Sequence, residues 1–265
     1  MSASAEAVPA TAAARSTSPS ALRFEGVSKR FSTGTLALDA IDLTVDAGEF
    51  VSVVGPSGCG KSTLLRLASG LSQATAGAVV TGDVRVSYVF QDPTLLPWRT
   101  VLGNVELVGE LAKLPRSERR EKALRIIKLV GLEGFERQRP GQLSGGMQMR
   151  VSLARALLLD PGLFLFDEPF GALDEMTRER LGDELQQLFH SRRFAGLFIT
   201  HSVAEAVFLS TRVVVMSARP GQIVADVEIP FDYPRSTELR FTPEFAKMTG
   251  VVSAALRRKG KGELT

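Results

Sequence analysis

The sequence predicts an α/β fold with a mixed sheet, an N-terminal antiparallel β-subdomain and a helical subdomain. The first observation is the alternation of apolar and polar residues from Leu22 to Val45, which is typical of half-buried antiparallel strands. The second is the short apolar run from Phe50 to Val54, which leads into a glycine-rich loop and then a helix. The third is the helical spacing of apolar residues between about 92 and 160.

Composition excludes several classes of protein. The chain has 265 residues, of which 44% are hydrophobic, enough for a sizeable core. Its 32 basic and 29 acidic residues give a net charge of +3, so we expect no nucleic-acid partner. The single cysteine, Cys59, rules out an internal disulfide and fits a reducing compartment. No run of about 18 apolar residues occurs, so we expect no transmembrane helix and any membrane contact to be made through a partner.

The ends of the chain differ in composition from its middle. Residues 1–20 are mostly Ala, Ser, Thr and Pro, without the apolar stretch of a secretory signal, so we expect a disordered tail on a cytoplasmic protein. Residues 21–230 carry the strand and helix patterns and form one predicted domain, with the helical subdomain at about 92–160. Residues 231–265 are expected to be a short C-terminal extension.

The predicted elements follow one another in order. A turn at Ala47–Glu49 precedes the buried strand, and a helix from Ser62 to Ser69 follows the glycine-rich loop. The stretch from Gly70 to Gln91 is short, which indicates a trimmed antiparallel subdomain. A helix then begins after Pro115 and ends at Gly131; its predicted apolar face contains Leu124, Ile127 and Val130.

A further helix begins after Ser144, a favourable N-cap, and stops before Asp160-Pro161. Its apolar stripe contains Met147, Val151, Ala154 and Leu158. Later strands are predicted at Leu163–Phe166, Leu197–Thr200, Val213–Met216 and Ile223–Ile229. Gly182 lies inside a predicted helix, where glycine costs about 1 kcal/mol relative to alanine.

The glycine-rich loop matches the phosphate-binding pattern of P-loop NTPases in full, so the sheet is expected to carry a P-loop NTPase core. Its glycines let backbone N–H groups turn inward around phosphates, and the helix N-terminus adds partial positive charge. Lys61 is placed to reach the β and γ phosphates, and Ser62 to offer its hydroxyl to magnesium. A glycine-rich turn without a ligand is the alternative, which the flanking strand and helix disfavour. The predicted nucleotide-binding residues here are Gly55, Pro56, Ser57, Gly58, Cys59, Gly60, Lys61, Ser62 and Thr63.

Two adjacent carboxylates follow the apolar run Leu163–Phe166. Asp167, at the end of a buried strand, can lie near the magnesium shell. Glu168 can orient or deprotonate a water that attacks the γ-phosphate. An Asp-Glu pair is usually solvated surface charge, but the large apolar residues before this pair favour a buried strand end.

The segment Leu143–Gln148 reads LSGGMQ, a helix N-terminus with a hydroxyl cap at Ser144 and two glycines. This segment resembles the signature motif of ATP-binding cassette (ABC) ATPases. The phosphate-binding loop and Asp167-Glu168 occur with it in the order that is typical of that family. The resemblance extends from about Leu22 to Ile229 and implies ATP and Mg²⁺ as ligands. It also makes the helical subdomain the one that carries the signature motif.

Other positions match the same family. Gln91 resembles the glutamine that links magnesium to a transmembrane partner, which gives an implied metal set of Ser62, Gln91 and Asp167. His201 resembles the switch histidine that contacts the γ-phosphate, although lone histidines are usually buried and structural, and Ser202 stands where Asp is common. Phe31 corresponds to the aromatic residue that stacks on adenine, with a core position as the alternative. The implied catalytic residues are Glu168, His201 and Lys61.

The resemblance implies a head-to-tail dimer with two identical composite sites. The signature segment of one chain faces the γ-phosphate held by Lys61 of the second copy, and ATP closes the two halves. The residues implied to act across the dimer are Ser144, Gly145, Gly146, Gln148 and Asp174.

A narrower resemblance indicates the class of transport system. The proline-flanked loop Pro93–Val101, which contains Trp98, resembles the groove that receives a coupling helix from a membrane permease; a packed core loop is the alternative. With Ser217–Gly221 and Asp167–Asp174, it is similar to importers of nitrate, sulfonate and taurine. The implied partners are integral membrane permease subunits and a periplasmic or lipid-anchored solute-binding protein, and the implied location is peripheral, at the cytoplasmic face of the cell membrane.

Two other functions are weaker on the same residues. A soluble ABC ATPase that acts on DNA or the ribosome, not tied to transport, carries a long coiled-coil insertion or two cassettes in tandem, and 265 residues hold neither. A P-loop kinase lacks the signature motif.

Overall fold

The computed structural model describes residues 19–258; the predicted tail therefore lies outside the described residues up to position 18, as do residues 259–265 of the predicted extension. Over the described range the strands are β1 (Ser20–Arg30), β2 (Leu36–Asp46), β3 (Phe50–Val54), β4 (Ala76–Thr81), β5 (Val86–Val89), β6 (Leu163–Asp167), β7 (Ala195–Ile199), β8 (Arg212–Met216) and β9 (Ile223–Glu228). The helices are α1 (Lys61–Ala68), α2 (Val101–Leu111), α3 (Arg116–Leu129), α4 (Gly145–Leu157), α5 (Glu175–Arg192), α6 (Val203–Leu209) and α7 (Pro243–Arg258). Short 3₁₀ turns occupy Pro140–Gln142 and Thr237–Phe241.

The N-terminal strands form the predicted antiparallel sheet. β1 pairs with β2 and, on its other edge, with β4, in the order β2-β1-β4. The alternation of apolar and polar residues that predicted these strands agrees with their burial in the structure. Ile41, Leu43 and Val45 face the core, while their neighbours face outward. The sheet has three strands.

The second sheet is mixed and forms the centre of the molecule. Its order is β5-β6-β7-β3-β8-β9; the first five strands are parallel and β9 is antiparallel to β8. Because the strands are buried on both faces, they are continuous apolar runs, as in Phe50–Val54. The α/β fold with a mixed sheet is confirmed.

The central sheet separates two apolar clusters, since successive side chains of a strand point to opposite faces. On one face, Phe50, Phe166 and Phe198 pack with α2 to α6; the ring centroids of Phe50 and Phe189 are 5.3 Å apart in an edge-to-face arrangement. On the other face, Val51 and Val53 pack with α1 and the antiparallel sheet. Helix α1 therefore lies on the opposite face of the sheet from α4.

The helical subdomain is confirmed with two corrections. Helices begin at Val101, whereas residues 92–100 form a loop. The buried face of α3 contains Ala123, Ile126 and Ile127, and Leu124 is 39% exposed, so its predicted place on the apolar face was wrong. Residues three and four positions apart both lie on the same side of a helix, so two neighbouring stripes of α3 fit the apolar pattern. The packing of α2 and α4 against α3 buries the stripe beside the predicted one.

Residues 231–258 add to the apolar core, whereas the sequence predicted only a short C-terminal extension there. Phe245 and Val252 of α7 are buried in the same apolar cluster as α6. The guanidinium of Arg235 is buried and donates to the carbonyl oxygens of Val207, Phe208 and Ser210, at 2.9, 2.7 and 2.9 Å. Those carbonyls end α6, so the charge is satisfied where a helix C-terminus favours a cation. No helix among residues 19–258 is both long and apolar enough to cross a membrane.

Candidate functional site

Three neighbouring strands of the central sheet end at the same edge and carry the predicted site residues. β6, β7 and β3 are adjacent and parallel, so the segments that leave them meet at their carboxyl ends. β3 leads into the phosphate-binding loop, β6 ends in Asp167 and Glu168, and β7 leads to His201. Chain positions more than 100 residues apart, Ser62 and Asp167 among them, are thereby brought into hydrogen-bond contact.

The phosphate-binding loop wraps around the ammonium group of Lys61. The Lys61 side chain is buried, and its Nζ donates to the carbonyl oxygens of Gly55 at 2.9 Å and Pro56 at 3.1 Å. Gly60 has φ +112°, and a Cβ there would lie 2.7 Å from Leu38 Cδ2 and 2.9 Å from the Ala37 carbonyl oxygen, so only glycine fits. Burial raises the pKa of the Cys59 thiol, which makes it a packing group in the loop.

Asp167 is held by two hydroxyl groups. Ser62 Oγ donates to Asp167 Oδ1 at 2.9 Å, and the hydroxyl of Tyr88 donates to Asp167 Oδ2 at 2.8 Å. Burial and the bond to the carboxylate raise the pKa of Tyr88 far above its usual value, so the phenol stays a donor. Sequence reasoning missed Tyr88, although it lies on the strand next to β6 and three residues before Gln91.

The oxygen donors at this point fit magnesium. A serine hydroxyl and a single carboxylate, 2.9 Å apart, suit Mg²⁺, which takes one or two protein oxygens and completes an octahedral shell with water and phosphate oxygens. Within residues 19–258, no group of three or more His, Cys, Asp or Glu side chains could hold a metal ion. The Ser62–Asp167 pair offers two oxygens of such a shell.

Glu168 and His201 form a second pair beside Asp167. His201 Nδ1 lies 3.4 Å from Glu168 Oε2, and the two side chains are 55% and 25% exposed, so the buried structural alternative for His201 is excluded. Glu168 has φ +47° while its backbone N–H donates to Ile199 O at 3.0 Å, so this conformation is held by the end of β7. Its carboxylate lies beside His201, whereas the carboxylate of Asp167 lies beside Ser62.

Ser202 caps the helix that follows His201. Its Oγ accepts from the Glu205 N–H at 3.3 Å and so caps α6, and its own N–H donates to Thr200 Oγ1 at 2.9 Å. Glu205 lies 3.3 Å from Arg178 Nε, across from α5, and burial raises the pKa of that carboxyl. Arg178 and Glu205, which the sequence analysis did not identify, thus flank His201 from two helices.

The remaining predicted residues near this edge are exposed. The amide nitrogen of Gln91 lies beside Gly171, 3.5 Å from the position a Cβ would take. Phe31, in the turn between β1 and β2, is 42% exposed, which excludes the core alternative, and Lys29 Nζ lies 5.6 Å from its ring centroid. An exposed ring face can stack on a base.

The signature segment lies away from the phosphate-binding loop of its own chain. Ser144 Oγ caps α4 by accepting from Met147 N at 3.3 Å, and Gln148 Nε2 donates to the Pro140 and Leu143 carbonyls. A Cβ on Gly146 would lie 2.6 Å from Thr177 Cγ2, whereas one on Gly145 would lie 3.6 Å from Leu173. Gly146 therefore lets α4 approach α5 closely, whereas the position of Gly145 would accept a methyl group.

Asp174 caps the helix against which α4 packs. Its Oδ1 accepts from Thr177 N at 3.0 Å, and the hydrogen bonds from Thr177 hold the pKa of the exposed carboxyl below its usual value. The pocket of about 540 Å³ at the other edge of the central sheet, lined in part by Gly48, Gly162 and Phe194, contains none of the predicted site residues. The predicted site residues therefore lie away from this pocket, at the carboxyl ends of β3, β6 and β7.

The loop at residues 93–100 is rigidly held and displays Trp98, which is 68% exposed, so the core alternative is excluded. The buried Asn104 side chain accepts from Leu96 N at 2.8 Å and donates to the carbonyls of Leu96, Arg99 and Thr100. Arg155 of α4 donates to the carbonyl oxygens of Pro93 and Thr94, both at 2.9 Å. The loop is therefore tied to the helix that begins at the signature segment.

Comparison with known proteins gives one consistent answer. A family model described as ABC transporter matches residues 38–171. An uncharacterized ABC transporter ATP-binding protein of Methanocaldococcus jannaschii is 49% identical over 82% of this chain and 84% of its own length. An aliphatic sulfonates import ATP-binding protein of Mesorhizobium japonicum is 44% identical, covering 88% and 87%. A nitrate import ATP-binding protein of Synechococcus elongatus is 43% identical, covering 87% and 88%.

Solved structures agree with these relatives. A dimeric bacterial ABC transporter cassette is 32% identical, with a TM-score of 0.70 over 80% of this chain and 100% of that one. A post-hydrolysis dimer of that cassette, bound to ADP and phosphate, has the same identity and coverage and a TM-score of 0.69.

Proposed function

Because this chain belongs to the ABC transporter family and is an ATPase of the importer class, we propose that it energises a membrane importer for nitrate, sulfonate, taurine or a related small solute. The observation that carries the catalytic part is the meeting of three groups at one sheet edge: the Lys61 loop, the Ser62–Asp167 hydrogen bond and the Glu168–His201 pair. The importer part rests on the names of the relatives, which are for nitrate and aliphatic sulfonates.

The phosphate end of ATP is bound by the loop at residues 55–63. Lys61 exchanges loop carbonyls for phosphate oxygens, and the glycines turn backbone N–H groups toward the same oxygens. Ser62 and Asp167, with the side-chain oxygen of Gln91 as a third donor, would hold Mg²⁺, which when bound would supply positive charge against the charge on the phosphates. Tyr88 fixes the rotamer of Asp167 from the far side.

Glu168 is the general base of the reaction. Its carboxylate orients a water toward the γ-phosphate and takes its proton. His201, 3.4 Å from Glu168, contacts the γ-phosphate and restrains the carboxylate. Arg178, Glu205 and Ser202 keep His201 at the start of α6, because they fix the helix that begins immediately after it.

The site is completed by a second copy of the chain. Helices α1 and α4 lie on opposite faces of the central sheet, so Ser144 cannot reach a phosphate held by Lys61 of its own chain. A head-to-tail dimer brings Ser144, Gly145, Gly146, Gln148 and Asp174 to the partner's nucleotide, and twofold symmetry makes two such sites. ATP bridges the halves, and hydrolysis releases them.

The exposed loop with Trp98 is the contact with the permease. It follows Gln91, which is implied to sense the nucleotide, and Arg155 ties it to the signature helix, so one rigid unit joins the three features. The permease places the ATPase at the cytoplasmic face of the membrane, and a solute-binding protein outside the membrane delivers the solute.

The dimer mechanism is tested with Glu168→Gln. The amide can hydrogen-bond a water but cannot take its proton, so hydrolysis stops while ATP still binds. We expect a dimer on size-exclusion chromatography with Mg-ATP and a monomer without nucleotide or with ADP. The matched control is Glu168→Gln combined with Lys61→Ala, which should stay monomeric. A Glu168→Gln protein that binds ATP normally and remains monomeric would contradict the sandwich dimer.

The permease contact is tested with Trp98→Ala, beside Leu111→Ala, which removes another exposed apolar side chain of the same subdomain. Because Trp98 is exposed, its removal should leave the melting midpoint and basal ATPase unchanged. Interface aromatics contribute about 2 kcal/mol or more, so co-purification with the permease of the same system should fall at least tenfold. Equal behaviour of the two variants in co-purification and transport would defeat the assignment.

A further inference from the structure

The hairpin between β8 and β9 reaches the tip of the phosphate-binding loop. Arg219 Nε and Nη2 both donate to the carbonyl oxygen of Gly58, at 3.1 and 2.8 Å. Two residues later, Gly221 N donates to Ala37 O at 2.9 Å and Gly221 O accepts from Asp39 N at 3.0 Å. The hairpin is therefore anchored on β2 and delivers a guanidinium to one particular carbonyl of the loop.

The close approach leaves little freedom for the hairpin. A Cβ on Gly221 would lie 2.2 Å from the Cys59 carbonyl oxygen, a distance that excludes any side chain. A Cβ on Gly58 would lie 3.3 Å from Arg219 Nη2, so the guanidinium also lies against the Gly58 backbone. The contact is thus fixed on the hairpin side by β2 and on the loop side by packing.

The peptide unit between Gly58 and Cys59 is held at both of its polar atoms. Its carbonyl accepts from Arg219, and its N–H donates to Pro56 O at 3.3 Å. Gly58, which precedes this peptide, has φ +72° and no Cβ, so little steric hindrance on that side opposes rotation of the peptide. Rotation of this peptide would exchange the directions of its carbonyl and its N–H, and a loop that binds anions through N–H groups would then present an oxygen.

We infer that Arg219 is a positioning residue, which locks the orientation of the Gly58–Cys59 peptide and thereby sets the affinity of the loop for the phosphates of ATP. This inference rests on the nucleotide site proposed above. Arg219 acts from outside the loop, whereas Lys61 lies inside it and bonds to Gly55 and Pro56. A guanidinium suits the role because two of its N–H groups converge on one oxygen, and it is always charged.

The test compares Arg219→Ala, Arg219→Lys and the matched control Arg85→Ala. Arg85 is another exposed arginine that donates to a backbone carbonyl, that of Leu159 at 3.0 Å, in a part of the chain without site residues. The measurements are KM and kcat for Mg-ATP hydrolysis and the equilibrium binding of ATP, ADP and adenosine. Adenosine lacks phosphates, so its binding reports only on the part of the proposed nucleotide site that contacts the base and the ribose.

A lost charged hydrogen bond is expected to raise KM, and the Kd for ATP and ADP, about five- to tenfold in Arg219→Ala, with kcat within about twofold. Arg219→Lys should recover part of the loss, since an ammonium can donate to the same carbonyl. Adenosine binding and the Arg85→Ala protein should match the wild type. An unchanged KM in Arg219→Ala overturns the inference, and so does an equal loss of adenosine and ATP affinity, which would indicate a general structural defect.

Lys61→Ala tests the site independently: wild-type turnover there would refute the proposed nucleotide site, whatever Arg219 does.

Discussion

Two helices of this protein, α1 and α4, begin at glycine-containing segments but have different surroundings. α1 begins after Gly60 and α4 begins after Ser144, and neither helix has an acidic residue in its first turn, so both keep the positive end of the helix dipole. At α1 the first side chains are already engaged: Lys61 with loop carbonyls and Ser62 with Asp167. At α4 the first turn is glycine, capped by Ser144 and packed on α5.

In the proposed dimer, this difference assigns one half of each composite site to α1 and the other half to α4. The α1 end collects groups from β3, β6 and β7, because all three strands end at one edge of the sheet. The α4 end collects groups only from its neighbour α5 and the turn before it. One N-terminus therefore gathers most of the groups of the proposed nucleotide site, whereas the other, in the proposed dimer, acts on the nucleotide of a second copy.

Lys61→Ala breaks the α1 side and has the largest expected effect. It removes the main counter-charge of the phosphates, and groups that stabilise a developing anion contribute about 10²- to 10³-fold in rate. ATP hydrolysis should fall by at least about a hundredfold and nucleotide binding should weaken. The measurement is steady-state phosphate release with equilibrium ATP binding; turnover at the wild-type rate would remove the assignment of the loop.

Gly146→Ala breaks the α4 side and leaves α1 untouched. The added methyl would lie 2.6 Å from Thr177 Cγ2, so α4 and α5 must separate, whereas Gly145→Ala creates an ordinary 3.6 Å contact with Leu173. Overpacking typically costs about 1–3 kcal/mol of folding stability. Because misplacement of a positioned group by about 1 Å can cost about a hundredfold in rate, we expect ATPase to fall about tenfold or more for Gly146→Ala and less for Gly145→Ala. Monomeric ATP binding, measured by calorimetry, should stay normal. A parallel loss of binding would show that the two N-termini are not independent.

Tyr88→Phe sharpens the comparison, because it changes only the support of Asp167. The phenol hydroxyl donates to Asp167 Oδ2 at 2.8 Å, and hydrogen bonds to charged groups contribute about 1.5–3 kcal/mol, part of which water replaces. We expect the Mg²⁺ concentration for half-maximal ATPase to rise about three- to tenfold, with a smaller change at saturating Mg²⁺. A magnesium titration of the ATPase measures this, and an unchanged titration would mean that Ser62 alone orients Asp167.

Gly182→Ala has the smallest expected effect and concerns neither N-terminus. A Cβ at this position would lie 3.6 Å from Arg240 Nη2, an ordinary contact, so the change should stabilise α5 by about 0.5–1 kcal/mol. The control is Gly109→Ala in α2, where the Cβ would lie 2.9 Å from Leu158 Cδ2 and the gain should be lost to crowding. Urea denaturation measures both; destabilisation by Gly182→Ala would mean that α5 cannot accept a methyl beside Arg240.

Local patterns predicted the elements whose neighbours in the chain decide their structure. The alternation in β2, the apolar run of β3 and the N-cap at Ser144 are each readable within about ten residues. The buried face of α3 was misplaced at Leu124 because the sequence gives the period of a helix but not which stripe its neighbours will cover. In α7, Phe245, Met248 and Val252 recur at helical spacing, but the surface that they cover is formed by β8, β9 and α6, whose places are decided elsewhere in the chain.

By itself, the sequence determined which chemical groups are available to the proposed site, because the types and spacings of residues in the phosphate-binding loop, the Asp167-Glu168 pair and the signature segment are local properties. Only the tertiary structure decided what supports them: Tyr88 on Asp167, Arg219 on Gly58 and Arg178 with Glu205 beside His201. Each of these contacts joins segments that are 27 to 161 positions apart, as between Arg178 and Glu205 and between Arg219 and Gly58. Such pairs depend on strand order and on which face each helix covers, and those are set by the packing of the whole apolar core.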